Sequence, residues 1–213
     1  MKVNSPAPGS ARPATRRTQA QRTATTRAAL LKNARKLFAD KGFADISTQA
    51  IVKAAGVTRG ALYHQFSDKA ALFAEVHEEV EREIVAEIVE RIMAASPSDP
   101  VEAMRLGARL FLDRCAAPDV QRIVLIDAPA VLGWDQWRAV GAKYGLGVIE
   151  GMLAQAIEEG AIPEQPPRAS AHVLLGALDE AALYVSRAAD PDRAKEEMYE
   201  VCDRILYGIA ARR

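Results

Sequence analysis

Apolar residues in this chain recur at intervals of three and four, and no segment between turn signals alternates apolar with polar. That spacing builds one-sided helices and gives a sheet nothing to bury, so no strand is predicted. Leu30, Ala34, Leu37 and Phe38 set one face of a helix near 25–40, which Lys41-Gly42 closes because glycine tolerates the left-handed conformation. Ser47 caps a short helix near 48–55 that buries Ile51 and Ala55 and stops at Gly56. Thr58 caps a second short helix near 59–65, with Leu62 and Phe66 inward. Ser67 or Asp68 opens a long helix carrying Leu72, Phe73, Val76, Val80, Ile84, Ile88 and Ile92 up to the Ser-Pro-Ser-Asp-Pro break at 96–100. Breaks at Pro118, Pro129, the Pro163–Pro167 cluster and Pro191 divide the rest into helices near 100–116, 119–127, 133–159, 168–188 and 192–210. The prediction is an all-α chain of about nine helices with no internal repeat.

The net charge of zero conceals a division. Residues 1–67 hold 12 Lys and Arg against 2 Asp and Glu, a net +10; the remaining residues hold 16 against 26, a net −10. A basic N-terminal third suits a polyanion, and an acidic body repelled by that polyanion favours a single docking orientation. Residues 1–22 contain Arg12, Arg16, Arg17 and Arg22 among Pro, Ala and Thr, with almost no large apolar residue. They are expected to form a disordered basic tail, either lying along a nucleic-acid backbone or merely solvated.

Between residues 48 and 66 two short helices joined by a glycine-containing turn form a helix-turn-helix. Gly56 supplies the positive φ of the bend, Val57 fills the space between the helices, and Thr58 satisfies the free N–H groups of the second. That second helix exposes Arg59, Ala61, Tyr63 and His64, while Gly60 and Ala61 are small enough for close backbone approach to a major groove about 12 Å wide.

The stretch from Thr26 to Leu72 resembles the DNA-binding domain of the TetR family of transcriptional regulators. The matching residues are Ala34-x-x-Leu37-Phe38, Lys41-Gly42-Phe43, the continuous run from Ala55 to Phe66, and Asp68-Lys69, with Val52 departing from the usual Ala. The resemblance implies double-stranded DNA as partner. Thr48 would donate to a phosphate, Thr58 and Arg59 would open the recognition helix, and Arg59 would reach a guanine edge or a phosphate. Tyr63 and His64 would face DNA, Lys69 would grip a phosphate, and Arg27 would add a backbone contact. The implied organisation is a helix-turn-helix domain over 23–70 followed by a ligand-binding and dimerisation domain over 71–213.

In that second part, residues 168–188 mix Ala and Gly with Val173, Leu174, Leu178 and Leu183, while Met198, Val201, Cys202, Ile205 and Ile209 form one stripe. Paired across a two-fold axis, the last two helices would make a four-helix homodimer interface, or else they cover only their own core. A dimer would place two recognition helices about 34 Å apart for a palindromic operator.

The middle helices are expected to enclose a small-molecule pocket. Its candidate lining is Met104, Phe111, Trp134, Trp137, Tyr144, Met152, Leu175 and Tyr184, with Arg114, Asp127, His172 and Asp179 as possible polar anchors. Asp127, just before Pro129, is alternatively a helix cap.

No nucleophile elbow, phosphate-binding glycine loop or HExxH occurs, and no histidine stands beside a Cys or Asp at ligand spacing. No catalytic residue, metal or cofactor is therefore expected. Cys115 and Cys202 are far apart and form no CxxC, the apolar runs are too short to cross a membrane, and no secretory leader is evident; a reducing cytoplasm is the simplest setting. The expected function is a homodimeric repressor released from its operator by a small molecule. The alternatives are an activator making the same contacts and a nonspecific DNA-binding protein, which would not need the long acidic, Trp-containing remainder.

Overall fold

The computed structural model describes residues 19–211. Among them there is no strand, and nine helical rods follow one another. They are α1 (Gln19–Lys41), α2 (Thr48–Ala55), α3 (Arg59–Gln65), α4 (Lys69–Ala95), α5 (Pro100–Ala116), α6 (118–132), α7 (134–158), α8 (Pro167–Arg187) and α9 (Pro191–Ala210). The tail expected over 1–22 lies outside the described residues as far as residue 18. From Gln19 the chain is already helical, because Ala, Gln and Arg are good helix formers.

Starts and stops follow local chemistry. Ser47 and Thr58 each accept the N–H three residues on, at 3.2 Å, and so cap α2 and α3. Of the two candidates for opening α4, Asp68 is the cap, accepting from Ala71 N at 2.7 Å. Asp99 and Asp190 do the same for α5 and α9, each followed by proline in the first turn. Gly56, at φ 66°, turns the chain between α2 and α3.

The proline rule fails once. Pro129 was expected to end a helix near 127, yet α6 runs on to Leu132. Residues Gln121–Asp127 are wound as a π-helix, with Ala128 N bonding the carbonyl of Ile123 five residues back. The wider turn re-routes the backbone bonds just before the proline, so the ring enters a first turn rather than a helix interior. α7 holds a second such stretch at Ala142–Leu146.

One continuous core runs from the N-terminal helices into the body. Phe38 of α1, Ile51 and Val52 of α2, Leu62 of α3, and Leu72, Phe73, Val76 and Ile84 of α4 are all buried, and with Ile123, Val124 and Trp137 they belong to the same cluster. A second cluster is set among α5, α7, α8 and α9 around Met104, Leu153, Leu174 and Leu206. Arg105 makes a two-point contact with Asp203 at 2.8 and 3.1 Å, tying α5 to α9. No helix among the described residues is long and apolar enough to cross a membrane.

Candidate nucleic-acid interface and effector cavity

α3 spans only Arg59–Gln65, and its single fully buried side chain, Leu62, anchors it to the core. Arg59, Gly60, Tyr63 and His64 remain exposed and Ala61 is half-buried. The Arg59 guanidinium stands 5.5 Å from the centroid of the Tyr63 ring. Arg59 foremost, and the Thr48 hydroxyl next, hold the Tyr63 phenol below the ordinary tyrosine range by hydrogen bonding. Thr48 at the start of α2 and Arg59 and Tyr63 on α3 are thus gathered into one surface patch. Thr58 uses its oxygen as a cap acceptor and keeps its hydrogen to donate. Nothing crowds Gly56 or Gly60, apart from the Thr58 hydroxyl 3.9 Å from where a Gly60 Cβ would stand.

Two residues expected at a phosphate are engaged inside the protein. The Lys69 ammonium donates to the carbonyls of Phe43 and Ile46 at 2.8 and 2.9 Å and lies 3.9 Å from the Phe43 ring centroid. Two of its three donors therefore staple the α1–α2 loop to α4. Arg27 pairs with Glu75 of α4 and stacks 4.7 Å over Phe66, so its charge is already met. Sequence spacing gave no sign of either arrangement, because the partners are main-chain carbonyls or residues far along the chain. Lys69→Met, which keeps the apolar stem, is expected to lower unfolding free energy by about 1 kcal/mol. Its operator affinity should fall while the salt slope stays unchanged. A slope reduced by about one unit would show instead that Lys69 neutralises a phosphate directly.

The body holds a cavity of about 100 Å³, partly open to solvent, between α4, α5, α7, α8 and α9. Of the residues expected to line it, Met104, Phe111, Met152, Leu175 and Asp179 do so. The wall also takes in Glu81, Val85, Ile88 and Ile92 of α4 and Cys202, Ile205 and Leu206 of α9, none of which is among the expected lining residues. Ile88 and Ile92 fall on the apolar stripe that the spacing along α4 predicts, whereas Glu81 and Val85 lie beside that stripe and gave no signal.

The other expected lining residues lie elsewhere. Trp134 is exposed on the surface, 4.8 Å from the buried Trp137 between ring centroids. Tyr144 donates to Glu78 at 2.7 Å, and His172 and Tyr184 are exposed. Arg114 is paired with Asp119 at 3.3 Å and Glu87 at 3.5 Å. Asp127 is neither anchor nor cap: its carboxylate accepts the Phe43 N–H at 2.7 Å, joining α6 to the α1–α2 loop. Arg122, one π turn earlier, donates to the Lys41 carbonyl at 3.3 Å and closes over Gly42, where a Cβ would meet it at 2.7 Å.

Residues 30–76 match the family model described as bacterial regulatory proteins, tetR family, and residues 101–209 match the tetracyclin repressor-like C-terminal domain. A crystal structure of a TetR-family transcriptional regulator from Pectobacterium atrosepticum is 34% identical, with a TM-score of 0.78 over 92% of this chain and 99% of that one. RolR in complex with its ligand resorcinol shares the fold, at TM-score 0.71 and 19% identity over 92% of this chain and 97% of that one. Among curated relatives, the HTH-type transcriptional regulator AcrR of Shigella flexneri is 43% identical over 70 residues, 33% of this chain and 32% of its own length. The transposon Tn10 TetC protein of Escherichia coli is 24% identical over 123 residues, 58% of this chain and 61% of its own length. The chain thus spans about a third and under two-thirds, respectively, of those two relatives.

Proposed function

The chain belongs to the tetR family of DNA-binding transcriptional regulators, and from that premise we propose that it works as a homodimeric repressor, released from a palindromic operator by a small molecule. The observation that carries the DNA-contact assignment is the surface patch in which half-buried Thr48, at the start of α2, meets the exposed Arg59 and Tyr63 of the capped short helix α3, with His64 beside them. Thr58, Gly60 and Ala61 complete the proposed contact surface, and the proposed division is a DNA-binding unit over 23–70 and a ligand-binding and dimerisation unit over 71–213. Arg59→Ala should weaken binding to the selected operator about tenfold and relax base choice at one position in each half-site. Retention of full affinity and unchanged base choice would remove Arg59 from the interface.

The dimer is supported by apolar side chains left outside. Val173 and Tyr184, eleven residues apart on one face of α8, are 69% and 47% exposed, and Val201 and Ile205, one turn apart on α9, are 42% and 38% exposed. Two copies meeting on these helices would bury them. Release is supported by α4 itself. Its first turn carries the Lys69 staple and its middle turns line the cavity, so one rod of 27 residues, about 40 Å long, spans both regions. A molecule that binds one tilt of α4 better than another shifts the population by that difference in affinity.

The experiment is selection of bound sequences from randomised duplex DNA by the purified protein at near-physiological salt. An inverted repeat is the expected result. Recovery of no motif, with binding lost steeply as salt rises, would favour a nonspecific binder. A recovered operator then separates repressor from activator by transcription in a defined system.

A further inference from the structure

The cavity in the body is walled by Ile88, Ile92, Phe111, Ile149 and Leu178, and its ionisable lining beyond the Cys202 thiol is two carboxylates, Glu81 and Asp179. They are not equivalent. Asp179 is paired with Arg138 of α7. Glu81 is only 8% exposed and has no hydrogen-bond partner among the described residues; Nε2 of His77, one turn earlier, stands 3.5 Å from its carboxylate. His77 is fully buried and neither of its ring nitrogens has a hydrogen-bond partner. Cys115 of α5 is buried close enough to feel both carboxylates and the Arg114 charge, and Arg114 is itself paired with Asp119 and Glu87. A buried carboxylate facing an apolar space without a matching cation is strongly destabilising, and it is relieved by a donor or cation brought in by a ligand.

Resting on the reading that this cavity receives the effector, we propose that the effector is a compact apolar amine whose ammonium docks on Glu81. An ammonium supplies both the charge and the donors that Glu81 lacks, an alcohol supplies one donor, and a carboxylate would be repelled. Size is bounded by the cavity: about 100 Å³ compares with the ~150 Å³ of an apolar cavity that holds benzene. A ring of five or six carbons enters with small movements of the flexible Met104 and Met152 side chains.

The test is calorimetric titration of the full chain at neutral pH with cyclohexylamine and with cyclohexanol, which share a shape and differ in charge. Each compound is also tested for release of the selected operator. The amine is expected to bind about tenfold or more tightly than the alcohol and to release DNA, and Glu81→Gln is expected to remove that preference while leaving alcohol binding within about threefold. Equal or tighter binding of the alcohol to the unaltered chain overturns the proposal, and needs no variant to be judged. Survival of the amine preference in a folded Glu81→Gln protein overturns it too. If the alcohol alone binds and releases DNA, the amine assignment falls and effector release stands. If neither compound binds or changes operator affinity, both fall.

Discussion

Phe73→Ala is expected to lower the unfolding free energy by about 3–5 kcal/mol. Phe73 is fully buried in α4, with its ring centroid 5.2 Å from both Phe38 of α1 and Phe43 of the α1–α2 loop, edge-on to each. Phe38 and Phe43 are themselves 5.8 Å apart, so three rings from three segments close on one point. Removing the middle ring takes away its transfer energy and leaves a space the rigid helices cannot close, with the aromatic pair energies lost in addition. Urea denaturation followed by circular dichroism measures this directly, and Phe73→Leu should lose about 1.5 kcal/mol or less. Operator affinity should fall with stability, because α3 is carried on this core. A loss below about 1 kcal/mol for the alanine variant would show that the site relaxes, and that the three rings do not hold the unit together.

The second large effect is a dependence on pH. Burial pushes the Asp179 carboxyl up to about 7 despite the opposing Arg138 charge, with the Glu81 carboxylate adding to the rise. The folded protein therefore holds this proton more tightly than the unfolded chain does. Its stabilising contribution is fully present below the ordinary aspartate range and is lost as pH rises through about 7. Between pH 5 and pH 8 the unaltered chain is expected to lose about 2–3 kcal/mol relative to Asp179→Asn, whose amide does not titrate. Paired denaturation curves at the two pH values cancel the titrating groups that Asp179 does not touch, and the remaining difference belongs to Asp179 together with the Glu81 carboxylate coupled to it. A constant gap between the proteins would show that Asp179 is already ionised at pH 5. A gap that changes in the opposite direction would show that the ion pair with Arg138 outweighs burial.

How much of this was legible in the sequence depends on whether the signal was local. Ser47, Thr58, Gly56 and the proline-led starts of α5 and α9 act on backbone within four residues, and each sits where its spacing predicts. The apolar periodicity that defined α4 buries Leu72, Phe73, Val76, Val80 and Ile84, while its last two positions, Ile88 and Ile92, are half-buried against the cavity. Arg59 and Tyr63 were legible as exposed residues because Leu62 and Phe66 fix which face of α3 points inward.

What stayed hidden was set by partners distant in sequence. Lys69 and Arg27 look like free cations until the fold brings the Phe43 and Ile46 carbonyls and Glu75 to them. The tryptophans suggested a pocket by composition, yet Trp134 faces outward and Trp137 is buried elsewhere, while the cavity is lined mainly by aliphatic residues from five helices, with Phe111 its one aromatic ring among the described residues. Glu81 reads as one more charge on an acidic helix, and only the packing of α5, α7, α8 and α9 around it reveals a buried carboxylate.

The π-wound stretch Gln121–Asp127 has a bearing on how this chain tolerates changes of length. Bonds that close on the fifth residue rather than the fourth take up one residue more than a regular helix needs for the same rise. The surplus is stored within a single turn, and the helix on either side keeps its facing. Losing one residue here would thus tighten the spiral instead of rotating everything after it by the ~100° that a deletion imposes on an ordinary helix. Ile126, 45% exposed, is the residue whose removal disturbs the interior least. Val120 and Ala128, both fully buried, would keep their present faces. The segment that grips the α1–α2 loop is in this sense a slack link, where the distance between the two halves of the molecule can be reset by one residue without unfolding either.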